Sequence, residues 1–77
     1  MMTVVLPCKP GDDYWWVSGE TLEIHHEEGG ITGVVVYKDN HFKIVDKLGD
    51  LCDIGTQWCC LTKEEAETFR EKLMNKS

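Results

Sequence analysis

Four thiols and three imidazoles are the side chains of this 77-residue chain best suited to chemistry, so their spacing decides which chemistry is open to it. Cys8, Cys52, Cys59 and Cys60 do not form the paired Cys-x-x-Cys knuckles that usually hold structural zinc. Cys59 and Cys60 are adjacent, so on a strand they face opposite ways and cannot easily share one tetrahedral ion. A zinc set would have to draw on Cys8, Cys52, one of Cys59 or Cys60, and a histidine such as His26. The spacing favours thiols that pack as small hydrophobes, with Cys60 on the same face as Trp58. His25-His26-Glu27-Glu28 lacks the i, i+4 spacing of a helical zinc motif. On a strand, alternation puts His25 in water and His26 toward the core or a sheet edge. Asp46, Asp50 and Asp53 miss the calcium-loop pattern. A cysteine nucleophile with His41 or His26 as base lacks a third, orienting group. These spacings predict neither an enzyme nor a cofactor.

Asp12-Asp13-Tyr14-Trp15-Trp16 points to binding instead. If Tyr14 to Val17 is a strand, Trp15 and Trp16 face opposite sides, and a one-sided core accepts only one of them. A tryptophan left outside is a typical interface anchor, and neighbouring carboxylates favour a basic partner. The structural alternative is that a second layer covers both tryptophans. The predicted contact comprises Asp12, Asp13, Tyr14 and Trp16, extended by Glu27 and Glu28 at a hairpin tip.

Composition narrows the classes. The chain has 14 acidic and 8 basic side chains, a formal net charge of −6. Nucleic-acid binding relies on Lys and Arg displacing phosphate counterions, so direct binding to DNA or RNA is not expected. Apolar runs are too short for a transmembrane helix, and the start lacks the basic and apolar regions of a signal peptide. A cytoplasmic protein that does not engage membranes is therefore expected. Mild acidity also serves solubility alone.

The elements that must position these residues are short. Thr3 to Leu6 is a candidate first strand, stopped by Pro7 and Pro10. Tyr14 to Val17 and Thr21 to Glu27 follow, the second with Leu22, Ile24 and His26 on one face and Glu23, His25 and Glu27 toward water. Gly29-Gly30 is a two-residue hairpin signal, leading into Ile31 to Tyr37, whose apolar centre predicts contact on both faces. Lys38-Asp39-Asn40 turns the chain into His41 to Asp46. Lys47 to Asp53 is a loop, and Gly55 to Leu61 a last strand. That strand leads into a helix over 62–75, where Thr62 is the N-cap, Glu65 completes a capping box and Leu61 with Ala66 closes a hydrophobic staple. Ala66, Phe69 and Leu73 form its apolar stripe. One domain over 1–77 is expected, with a β part over 1–61 and the helix over 62–75. Its class is α+β: a strongly bent antiparallel sheet or small barrel of about five strands, with the helix packed on it. The predicted core holds Trp15 or Trp16, Val17, Leu22, Ile24, Val35, Phe42, Ile44, Ile54, Trp58, Phe69 and Leu73.

Leu6-Pro7-Cys8-Lys9-Pro10-Gly11-Asp12 before an aromatic strand, and Gly55 followed by Leu61-Thr62-Lys63-Glu64-Glu65-Ala66-Glu67, together form an "LPCKxGD … G…LTxEEAE" pattern. This resembles a group of small proteins encoded in phages and prophages of Gram-positive gut bacteria. The motifs cover about a quarter of the chain. The resemblance implies an SH3-like barrel with a C-terminal helix, an origin in a mobile element, and no catalytic residue. Asp13 stands where the group usually has Thr, adding a charge to the turn. The resulting expectation is a non-enzymatic protein-interaction module that occupies a basic surface of a host or phage protein. An acidic inhibitor of a nucleic-acid-binding defence protein is one specific form. Two other classes stay open: a metal- or thiol-dependent regulator built on the four cysteines, and an assembly component of the mobile element.

Overall fold

The aromatic and β-branched stretches form strands that pair with their neighbours in sequence, with one break between the second and the third. The computed structural model describes residues 5–38 and 41–76. Strand β1 is Tyr14–Val17 and β2 is Ile24–Glu27; they pair antiparallel, with Trp15 opposite His26 and Trp16 opposite His25. Strands β3 (Gly33–Tyr37), β4 (His41–Val45) and β5 (Leu51–Asp53) form a second antiparallel sheet in that spatial order. Helix α1 is Lys63–Asn75. The fold is α+β, and its five described strands lie in two sheets rather than closing into a barrel. The Thr3–Leu6 strand is not formed at Val5 and Leu6, while Thr3 and Val4 lie outside the described residues. So do Asp39 and Asn40 of the expected β3–β4 turn.

Strand alternation sorts the core into two clusters on either side of β1. Trp15 and Val17 face α1, where Val17, Cys60 and Ala66 are buried with Ile24, Phe69 and Leu73 against them. Tyr14 and Trp16 face the second sheet, where Tyr14, Ile31, Ile44 and Cys59 are buried. Both tryptophans are thus half-buried, each under a different layer. Thr62 caps α1, its hydroxyl accepting from Glu65 N–H at 3.2 Å. The staple is different from the one expected: Leu61 packs in the Tyr14 cluster and Ala66 in the Val17 cluster, so the chain divides between layers at the cap.

Three expectations are corrected. Gly29-Gly30 does not join β2 to β3 as a hairpin. Gly29 adopts φ 59°, and Ile31 N–H then donates to Asp12 O while Gly11 N–H donates to Ile31 O. These bonds draw the chain past the Gly11–Asp13 segment into the second sheet. Next, Gly55 to Leu61 is a turn rather than a strand. Gly55 has φ 87°, and Thr56 Oγ1 donates to Asp53 O and accepts from Trp58 N–H. The segment still serves the sheet: Trp15 and Cys60 exchange backbone hydrogen bonds of 2.8 and 2.7 Å along the edge of β1. The strand of this region is β5, inside the expected loop. It forms because Asp46 Oδ1 accepts from Leu48 and Asp50 N–H and tightens the turn after β4.

Burial follows from this pairing. Val17 and Ile44 are fully buried as expected, and Leu22, Ile24, Phe42, Ile54, Phe69 and Leu73 are half-buried. Val35 and Trp58 are not core residues, at 39% and 52% exposure. Val35 lies on an outer strand with only one covered face, beside exposed Val36 and Tyr37. Trp58 is turned outward by the Thr56 turn, so it does not share the buried environment of Cys60.

Candidate functional site

The face of the β1–β2 ribbon that carries Tyr14 and Trp16 borders an open concavity. Trp16 and Glu27 lie on that face near the end of the pair, and Trp16 Nε1–H donates to Glu27 Oε2 at 2.9 Å. His25 stacks beneath the indole, with ring centroids 4.1 Å apart and planes 13° from parallel. The Thr56 turn then brings Trp58 to 6.0 Å from Trp16, tilted by 34°. Opposite stands the Asp46–Leu48 turn. The result is an open cleft of about 350 Å³ floored by Tyr14, Gly30 and Cys52, a size in the small-ligand range. Glu27 and Asp46 make its walls acidic, and Lys47 stands exposed at its rim. Among the described residues no cation lies within ion-pair distance of Glu27, and Glu27 Oε1 has no hydrogen-bond donor.

Of the expected contact residues, Trp16 and Glu27 meet here, and Tyr14 reaches the cleft only as part of its floor. Tyr14 is 7% exposed, so it is a core residue and not a surface contact; burial pushes its phenol up to about 12. Asp12 and Asp13 are elsewhere and occupied. Asp12 accepts from Lys9 N–H and pairs with Lys9 Nζ at 3.4 Å. Asp13 accepts from Gly29 N–H and lies 2.8 Å from His26 Nε2, both of which hold its carboxyl below the usual carboxylate range. Glu28 is exposed and lines none of the described concavities. The histidine assignment is reversed in effect: His26 is the exposed one, stacked on Trp15 at 4.6 Å, while His25 is half-buried against Trp16. Glu27, expected in water, is half-buried too.

Sequence reasoning missed Trp58 as a site residue. The signal was present: Gly55-Thr56 before Gln57-Trp58 is as compatible with a hydroxyl-closed turn as with a strand. A second, broader concavity between Trp15, Leu22 and α1 carries Glu23, Glu67, Lys63 and Arg70, so its charges are mixed.

The cysteines pack rather than converge. Cys59 and Cys60 are fully buried in opposite clusters, as adjacent strand-like residues must be. Burial raises all four thiols, Cys59 to about 12 and Cys60 to about 11, which opposes thiolate chemistry. Among the described residues no three Cys, His, Asp or Glu side chains are grouped to hold a metal ion, and His26 is spent on Asp13 and Trp15. No helix among the described residues is long and apolar enough to cross a membrane. Comparison with known proteins returns no matching family model, no matching curated protein and no matching solved structure.

Proposed function

We propose that this chain is a non-enzymatic binding module whose contact with a partner protein is the Trp16–Trp58 cleft. The observation that carries this reading is Trp58, 52% exposed and held beside a second indole by a fixed turn. Leaving a large indole in water forgoes about 1.5–3 kcal/mol of burial, and tryptophan is the residue type most enriched among interface anchors. The acidic walls and the −6 charge suit a basic partner surface. The resemblance of the chain's two ends to small phage and prophage proteins supports a partner in a bacterial host's cytoplasm, with the chain acting by occupying that partner's surface.

The test is a pull-down from host lysate with the wild type and a Trp58→Ala variant as baits. Because Trp58 lies outside both buried clusters, the variant keeps its fold, checked by a cooperative denaturation transition. A protein retained by the wild type and lost by the variant is the expected outcome. Equal recovery on both baits refutes the cleft as the contact.

A further inference from the structure

The cleft has a polarity that a purely apolar anchor would not satisfy. We infer that its occupant is an arginine side chain of the partner, lying against the indoles of Trp16 and Trp58 with its guanidinium on the Glu27 carboxylate; this rests on the cleft being the contact. Glu27 is half-buried beside Trp16, with its Oε2 accepting from the indole N–H and its Oε1 left open to the cleft. Among the described residues no cation lies within 4.0 Å of it, and the one amine of the cleft, Lys47, stands exposed. A carboxylate in such a place is strengthened by a charged donor from outside, since charge-assisted hydrogen bonds gain as water is excluded.

Geometry then selects among cations. His25 covers one face of Trp16 at 4.1 Å, so an incoming group must use the other face, toward Trp58. Ring centroids 6.0 Å apart and tilted by 34° put the two indoles in contact, so any flat group lies across their outer side and not between them, and charge separates a cation from a neutral ring there. A flat guanidinium can lie against that outer side while its N–H fork reaches a carboxylate edge-on. A lysine ammonium is a compact, strongly hydrated point charge and gains less from both contacts. On the opposite wall, Asp46 Oδ1 is held by Leu48 and Asp50 N–H, which fixes a second negative charge near the mouth. Two carboxylates against the single rim amine of Lys47 leave the cleft net negative.

The experiment follows the three indole N–H resonances of the intact protein by NMR. The titrants are blocked Gly-Gly-Arg-Gly-Gly and its lysine and citrulline counterparts. Citrulline keeps the planar shape and loses the charge. Saturable shifts at Trp16 and Trp58, with Trp15 unmoved, are expected for the arginine peptide, and binding about tenfold weaker for citrulline, as loss of one charge-assisted contact implies. Glu27→Gln preserves an acceptor for the Trp16 indole, so the fold survives, and it should weaken the arginine peptide by a similar factor. Equal binding of citrulline, equal binding of lysine, or indifference to Glu27→Gln overturns the assignment. If the lysate partner is still lost on Trp58→Ala while citrulline matches arginine, the binding module stands and only its occupant is wrong.

Discussion

Asp13 illustrates how one side chain can be diverted from a surface role to a structural one. Its two oxygens tie β1 to the turn after β2, one through Gly29 N–H at 2.8 Å and the other through His26 Nε2 at 2.8 Å. Because folding lowers its pKa, the native state holds the carboxylate form more strongly than the unfolded chain does. The associated stability is therefore full above the ordinary value of 3.8 and is lost as pH falls below it toward the native value. Asp13→Asn should lower the denaturation midpoint at neutral pH and flatten its decline in acid; a decline as steep as that of the wild type would show that other carboxylates carry it. The sequence exposed the pair Asp12-Asp13 but not its employment. An acid before an aromatic strand has the same pattern whether it faces a partner or a backbone amide sixteen residues away.

Elements rather than single residues explain why the cleft exists. Gly30 lets the chain leave β2: a Cβ there would stand 2.7 Å from Tyr14 Cε1, 2.8 Å from Glu27 Cβ and 3.1 Å from Glu27 O. Because Tyr14 is buried, its ring cannot retreat, so Gly30→Ala should cost about 1–3 kcal/mol, read from chemical denaturation. It should also disturb the Trp16 and Trp58 indole signals, since Tyr14 and Glu27 both line the cleft. An unshifted midpoint would contradict this close approach. On the other side of β1, α1 is held through a narrow stripe in which Ala66 is buried and Phe69 and Leu73 are half-buried. Phe69→Ala should remove about 1.5–3 kcal/mol of stability. Retention of the wild-type midpoint would mean that the helix is not docked by this face. The stripe and its cap were legible in the sequence because helical periodicity and N-capping are local signals. The pairing of β2 with β1 and not β3 was illegible, because Gly-Gly specifies a turn without specifying what the next strand pairs with.

Across the whole molecule, β1 is the shared wall of two small cores, and each core contains one fully buried cysteine. This has an alkaline consequence. Unfolded thiols ionise near 9.0, whereas burial holds Cys59 up to about 12 and Cys60 up to about 11. Between those limits the unfolded chain binds fewer protons than the native one, so stability must fall as pH rises. The urea midpoint should drop measurably between neutral pH and about pH 10, and Cys59→Ala, though less stable at neutral pH, should show a smaller drop. Equal drops in the two proteins would assign the alkaline loss to other groups.

The amino-acid sequence by itself determined the class, the placement of β1, β4 and α1, the capped start of the helix, and the opposition of Trp15 to Trp16. Each of these rests on periodicity or capping within a few residues, which the chain carries wherever it folds. It also determined that adjacent Cys59 and Cys60 would part to opposite sides. Only the tertiary structure decided that the sheet is divided in two, that both Trp15 and Trp16 are half-covered, and that Trp58 is the indole left outside. Those outcomes depend on backbone hydrogen bonds between distant segments, such as Ile31 to Asp12 and Trp15 to Cys60, and on a side-chain turn at Thr56. Hydrophobicity alone sends a tryptophan inward; a hydroxyl that closes the preceding turn and a β1 edge already occupied by Cys60 send this one out.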